Sequence, residues 1–104
     1  SSYRFLYKGS ETIADFKDRS LILTHMKAND PIAKCGLEIL CSENGEDWLM
    51  LDQFLGGTYK PGEIFEVIQP PKAMRFYHFI FMESYTGRGE GNAELFGDVF
   101  NLEY

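Results

Sequence analysis

The dominant pattern of the chain is a series of short apolar runs separated by turn residues. Each run is a few residues long and rich in aromatic and β-branched side chains, which is typical of strands and not of helices. The turns recur at intervals of roughly 8–15 residues, a spacing that indicates a sandwich or a barrel. The predicted strands cover residues 3–7, 21–24, 36–41, 48–51, 64–68, 74–82, 93–96 and 98–102.

The longest of these runs, residues 74–82, is apolar on both of its alternating faces. A strand that is apolar on both sides is typical of the centre of a sheet with cover on each face. We therefore predict that this strand is central. One face carries Arg75, Tyr77, Phe79 and Phe81, and the other carries Met74, Phe76, His78, Ile80 and Met82.

Three local signals refine the prediction. Asn44-Gly45 between two apolar runs predicts a hairpin, because both residue types accept positive φ. Ile13 and Phe16 are three residues apart, which favours one or two helical turns within residues 10–18. Gly97, between the last two predicted strands, is a candidate for a β-bulge.

These elements predict an all-β fold in a single domain covering residues 1–104, since two domains need a longer chain. The sequence starts Ser1-Ser2-Tyr3, without Met and without the pattern of a signal peptide. We expect a domain excised from a larger protein, whose other domains are then natural partners. The alternative is a mature chain whose signal peptide has been removed.

Composition narrows the choice of partner. Aromatic residues make up 15% of the chain, which supports a sheet protein. Ten Lys and Arg against sixteen Asp and Glu give a net charge of −6. That charge disfavours nucleic acid and anionic lipid. We therefore expect no nucleic-acid binding. No apolar run approaches the roughly 20 residues of a membrane-spanning helix, so we also expect no membrane insertion.

The residues that carry enzyme chemistry are few and scattered. The only histidines are His25 and His78, and no Ser or Cys is spaced for a nucleophile with its base. We interpret His78, between Phe76 and Ile80, as a core histidine. Cys35 and Cys41 would lie about 20 Å apart along a strand, too far for a disulfide. We therefore expect a non-catalytic protein with no cofactor and leave its localisation open.

Three segments together resemble a known family. Residues 42–48 resemble the Ser-x-Asp-Gly-x-x-Trp hairpin of discoidin (coagulation-factor type C) domains and of related carbohydrate-binding modules, with Asn44 where the family usually has Asp. Residues 74–79 resemble the Ala-Arg-Tyr-x-Arg-Leu strand of that family, with His78 in the position where the family has its second Arg. Residues 93–97 are similar to its closing strand. The resemblance implies an antiparallel jelly-roll β-sandwich of the galactose-binding-like kind. It also implies a structural calcium held in part by Glu94.

The glycine-rich loop at residues 83–92 is the predicted binding site. Tyr85 offers an aromatic face, Arg88 a guanidinium with fixed donors, and Glu90 and Asn92 offer acceptors. Such groups hold a sugar or a peptide by stacking and by fixed polar contacts. A merely solvated loop is the competing interpretation. A second apolar loop, residues 54–60, either completes the core or forms a contact patch.

The predicted function is a non-catalytic recognition module that binds a glycan or a protein through end loops. The alternative is a structural domain that packs within a larger complex or particle. Apolar surface separates the two, because a recognition module clusters exposed aromatic residues at one end. An assembly domain instead spreads apolar residues over a flank or a sheet edge.

Overall fold

The computed structural model describes residues 2–9, 11–17, 19–28, 36–54, 62–84, 87–88 and 91–101, and these residues contain strands and no helix. Within them, therefore, no helix is long and apolar enough to cross a membrane. The strands are β1 (Ser2–Gly9), β2 (Glu11–Asp15), β3 (Arg19–Ala28), β4 (Gly36–Ser42), β5 (Leu49–Phe54), β6 (Ile64–Glu66), β7 (Phe76–Ser84), β8 (Gly87–Arg88) and β9 (Gly91–Asn101).

The strands form two antiparallel sheets, which confirms the all-β prediction. The four-stranded sheet has the order β1-β9-β3-β6. The five-stranded sheet has the order β2-β7-β4-β5, with β8 paired to the end of β7. Four of the pairings are nested in sequence: β4 with β5, β3 with β6, β2 with β7, and β1 with β9. Two more, β4 with β7 and β3 with β9, complete the sheets.

The core lies between the sheets and is dominated by β7. Tyr77, Phe79 and Phe81 are fully buried, and the rings of Tyr77 and Phe79 stack with centroids 6.3 Å apart. The Tyr77 hydroxyl donates a hydrogen bond to the carbonyl of Leu21 in β3, which ties the two sheets together. Burial raises the pKa of Tyr77 well above its ordinary value of 10. Cys41 is buried with a free thiol, and desolvation raises its pKa.

The helical turns expected within residues 10–18 are wrong, because residues Glu11–Asp15 form strand β2. Ile13 is exposed and Ala14 is buried, so the segment alternates with a period of two. Tertiary pairing with β7 decides the conformation, since each β2 residue has a partner there. After β2 the chain turns sharply, with Lys17 in the left-handed region at φ 46°. The Asp15 carboxylate accepts the Lys17 N–H at 2.8 Å in that turn.

The bulge expected at Gly97 lies instead in the partner strand. Residues 91–101 form one continuous strand, and the register of β3 against β9 shifts between Leu23 and His25. Gly97 is needed for close approach, because a Cβ there would lie 2.6 Å from the Ile22 carbonyl oxygen. The Thr24 hydroxyl within the bulge donates to the Phe96 carbonyl at 3.1 Å.

The hairpin predicted at Asn44-Gly45 is confirmed, although side chains shape its turn. Gly45 has a φ of 79°, whereas Asn44 is not among the described residues with positive φ. The Asn44 Oδ1 atom accepts the N–H groups of Glu46 at 2.8 Å and Asp47 at 2.9 Å. The Ser42 Oγ atom accepts the N–H of Gly45 at 2.9 Å. These are bonds with which Asn and Ser side chains replace a backbone turn.

The edge strands β5 and β6 belong to different sheets and are joined by one carboxylate. Asp52 Oδ2 accepts the N–H of Ile68, just after β6, at 2.8 Å, and Asp52 Oδ1 accepts the Gln53 N–H at the same distance. The N–H groups of Gln53 and Ile68 are therefore both hydrogen-bonded, and the negative charge of Asp52 lies at the edge of the sheet. Occupied donors and charged edge residues hinder the pairing of a foreign strand.

Candidate binding face on the five-stranded sheet

Where the structure describes them, the outward side chains of the five-stranded sheet form three rows across its strands. We call this surface the outer face. Register places Ile13, His78, Leu40 and Met50 side by side in the central row. The same pairings place Glu11, Ile80, Glu38 and Gln53 in one flanking row, and Asp15, Phe76 and Ser42 in the other. The central row therefore runs from one edge of the sheet to the other.

The central row is apolar at both ends and open to solvent. Ile13 is 56% exposed on edge strand β2, and Met50 is 47% exposed on edge strand β5. Leu40 and His78 between them are half-buried, as are Phe76 and Ile80 in the flanking rows. Large aliphatic side chains exposed together on one sheet face mark a contact surface more often than scattered single ones.

The middle of the outer face holds a polar pair covered by an indole. His78 Nε2 lies 2.5 Å from Glu11 Oε1, so the histidine links the central strand β7 to the edge strand β2. The Trp48 ring packs against the His78 ring with centroids 5.6 Å apart and planes tilted by 58°. His78 is thus paired, but it lies on the outer face and not in the core, where the sequence interpretation placed it.

A second cluster stiffens one end of the face. Arg75 Nε donates to Asp15 Oδ1 at 2.8 Å, and the Arg75 guanidinium lies 4.7 Å from the Phe76 ring centroid. Hydrogen bonds from Arg75 and from the Lys17 N–H hold the pKa of Asp15 below its ordinary value. A Cβ on Gly45 would lie 3.4 Å from the Phe76 ring, so the β4–β5 turn rests on that ring.

The prediction that β7 is a central strand is therefore confirmed. The prediction that both of its faces are covered is confirmed only in part. The strand is central, between β2 and β4. Tyr77, Phe79 and Phe81 on its inner face are fully buried, whereas Phe76, His78 and Ile80 on the other face are only half-buried. The described residues cover that second face partially, through Trp48 and Glu11.

The loop predicted as the binding site lies partly outside the described residues. Tyr85 and Glu90 lie outside them altogether. Gly87–Arg88 forms strand β8, in which Arg88 pairs with Met82, so this part of the expected loop is a strand at the sheet edge. Asn92 lies in β9 opposite Lys8, in the other sheet. Ligand binding by these residues stays a prediction, as does the role of residues 55–60, which also lie outside.

Glu94, the residue that the resemblance assigns to calcium, lies in β9 with a cation beside it. Its Oε2 atom is 3.3 Å from Lys27 Nζ on the neighbouring strand β3. Among the described residues no three His, Cys, Asp or Glu side chains are grouped as metal ligands. Calcium binding stays a prediction.

The sequence reasoning missed the outer face for two reasons. The spacing of Ile13 and Phe16 favours helical turns and so does not predict that Ile13 is exposed on a strand. The apolar sequence neighbours of His78 favour a core position for it. Alternation was the available signal, since Glu11, Ile13 and Asp15 repeat with the same period of two as Phe76, His78 and Ile80.

Comparison with known proteins adds no assignment to this geometry. No protein-family model matches the sequence, and no curated protein matches it significantly.

Proposed function

We propose that this chain is a non-catalytic recognition module that binds a protein partner over its outer face. The observation that carries the proposal is the central row, which presents Ile13 and Met50 to solvent at opposite edges of one sheet face. Between them, His78 and Leu40 are only half-buried. Aliphatic side chains spread over a flank suit a flat protein surface better than a sugar, which is usually held by aromatic rings.

The scaffold that we propose is a jelly roll of the galactose-binding-like kind. The nested pairings support it, because a jelly roll is one long antiparallel ribbon wrapped around a core. With β8 set aside, consecutive strands change sheets at every step except the β4–β5 hairpin. The resemblance of residues 42–48, 74–79 and 93–97 to discoidin domains points to the same scaffold.

A structural domain within a larger assembly is the second candidate. Aliphatic residues spread over the outer face also suit it, since a flank is where an assembly domain carries apolar surface, and a separate observation favours it. Ile64 is 60% exposed on edge strand β6, and Ile68 just beyond it is 63% exposed. These side chains lie on the β5–β6 side of the sandwich and not on the outer face. An assembly domain would bury this edge against neighbours as well, whereas a recognition module would need the outer face alone.

Two matched variants test the proposal and separate the two candidates. Ile13→Ser/Met50→Ser alters the outer face, and Ile64→Ser/Ile68→Ser alters the edge at similar exposure. Partners would be selected with the unaltered chain from a displayed protein library and measured again against both variants. We expect affinity to fall at least about tenfold for the outer-face variant and to stay within about twofold for the edge variant.

Three results would contradict this proposal. Partners that bind both variants as well as the unaltered chain would remove the outer face from the function. Partners that lose affinity only with the edge variant would favour the assembly domain. A glycan array on which binding survives the outer-face substitutions would return the site to the loop with Tyr85 and Arg88.

A further inference from the structure

Carboxylates border the apolar central row of the outer face. Glu11 and Glu38 occupy the same flanking row, on either side of Ile80. Asp15 ends the opposite row, and the β4–β5 turn adds the exposed Glu46 and Asp47. The apolar groups of this face are thus bordered by acids on two sides and at the turn.

Two cations near this border, among the described residues, form ion pairs with particular acids. Arg75 binds Asp15, and Lys72 forms an ion pair with Glu43 in the turn. Within the part of the chain that the structure describes, the half-buried Glu38 carboxylate has no lysine or arginine within ion-pair distance. Its cross-strand neighbours are Ile80 and Gln53, which carry no charge. Among the described residues, Glu38 therefore brings to the outer face a negative charge that no lysine or arginine compensates.

We propose, on the basis of the function proposed above, that the outer face selects a protein surface whose apolar centre is bordered by lysine and arginine. Aliphatic side chains on the partner would cover Ile13, Leu40 and Met50, and a cation would reach Glu38. Complementary charge at such a border speeds encounter and rejects acidic surfaces. A second copy of this chain is a poor occupant, because its net charge is also −6 and its outer face is equally acidic.

The test uses two short peptides, one alternating leucine with lysine and one alternating leucine with glutamate. Binding to the unaltered chain is followed by calorimetry and by backbone amide shifts in NMR. We expect the lysine peptide to bind, with its largest shifts at Ile13, Leu40, His78 and Met50. We expect the glutamate peptide to bind at least about tenfold more weakly. Raising the ionic strength from about 0.05 M to about 0.5 M should weaken the lysine peptide severalfold.

Charge reversal at two sites controls for nonspecific attraction. Glu38→Lys and Glu63→Lys change the net charge equally, but Glu63 lies before β6 and outside the outer face. We expect the lysine peptide to lose about tenfold in affinity with Glu38→Lys and to stay within about twofold with Glu63→Lys. Glu38→Gln, which keeps the shape of the side chain, should give an intermediate loss and controls for misfolding.

Two outcomes overturn the inference. Equal losses with Glu38→Lys and Glu63→Lys would mean that the peptide follows net charge alone. Equal binding of both peptides, with sensitivity to Ile13→Ser/Met50→Ser, would mean that the outer face recognises apolar groups without selecting charge. That second result leaves the proposed function intact, whereas library partners indifferent to Ile13→Ser/Met50→Ser would remove the function itself.

Discussion

The two faces of the five-stranded sheet are built by the same strands yet differ in nearly every property. On β7 the inward residues Tyr77, Phe79 and Phe81 are fully buried, while the outward residues Phe76 and His78 are half-buried. The inner face is held by packing and by one buried hydroxyl. The outer face is held by ion pairs and ring contacts. Adjacent residues on one strand therefore serve different purposes, and substitutions on the two faces should have separable effects.

The largest effect is expected from Phe79→Ala on the inner face. Removing a fully buried ring leaves a cavity between the sheets that neighbours such as Tyr77 fill only in part. We expect a loss of about 3–5 kcal/mol in the free energy of unfolding. Urea denaturation followed by circular dichroism measures it. A loss below about 1 kcal/mol would show that the inner face is not the core.

Gly97→Ala comes next and tests tolerance for added volume on the inner side of the other sheet. The new Cβ would lie 2.6 Å from the Ile22 carbonyl oxygen and 2.8 Å from a Leu21 methyl carbon. Overpacking of this kind costs about 1–3 kcal/mol, because backbone must shift. Gly62→Ala is unsuitable as a control, because Gly62 has a φ of 85° and an alanine there would strain the backbone without any crowding. Ala93→Gly in the same strand weakens packing without adding volume. Comparing the melting temperatures of Gly97→Ala and Ala93→Gly separates the effect of crowding from that of a weakened strand β9.

Tyr77→Phe removes one hydroxyl and keeps the ring. We expect a loss of about 0.5–1.5 kcal/mol, the net contribution of one hydrogen bond. The cost stays in that range because the Leu21 carbonyl also accepts the Met74 N–H at 3.0 Å and is not left unpaired. Chemical denaturation measures the change. A neutral result would mean that the hydroxyl does not bind the two sheets together.

Arg75→Ala addresses the outer face and has a pH signature. The pKa of Asp15 is lowered in the folded chain, chiefly by Arg75 and then by the Lys17 N–H. A carboxyl group whose pKa is lowered by folding stabilises the fold fully at pH values above its ordinary pKa of 3.8. That stabilisation is lost as the pH falls through the lowered pKa of the folded chain. The stability gap between the parent and Arg75→Ala should therefore be small, present at pH 7 and shrinking below about pH 4. Denaturation at several pH values tests this, and a gap that widens in acid would contradict it.

The smallest effect on stability is expected from Ile13→Ser. Ile13 is 56% exposed, and surface substitutions of this kind usually change stability by less than about 0.5 kcal/mol. Partner binding, in contrast, should fall. A variant that unfolds at the parent's temperature but loses its partner would give the sharpest separation between the two faces. A large fall in melting temperature would place Ile13 among the structural residues.

Sequence patterns anticipate the inner face better than the outer one. The run at residues 74–82 and the Asn44-Gly45 pair predict a central strand and a hairpin, because burial and turn chemistry leave local signals. Local sequence does not predict strand β2, because Glu11–Asp15 becomes a strand through its register with β7, which is distant in sequence. The row from Ile13 to Met50 depends on three registers at once, two of them between strands distant in sequence, so no local pattern contains it.

The nesting of the strand pairs also has a kinetic consequence. The β4–β5 hairpin closes a short stretch of chain, whereas β1 and β9 are brought together only after nearly all the intervening strands are arranged. The entropic cost of closing long loops therefore comes before most stabilising contacts form. Because of this cost, sandwiches of this kind fold in about milliseconds to seconds. We expect the turn around Asn44 to form early and β1 to dock last. Stopped-flow fluorescence of Trp48, beside that turn, should then report an earlier event than hydrogen exchange at Leu6, whose partner is Glu94.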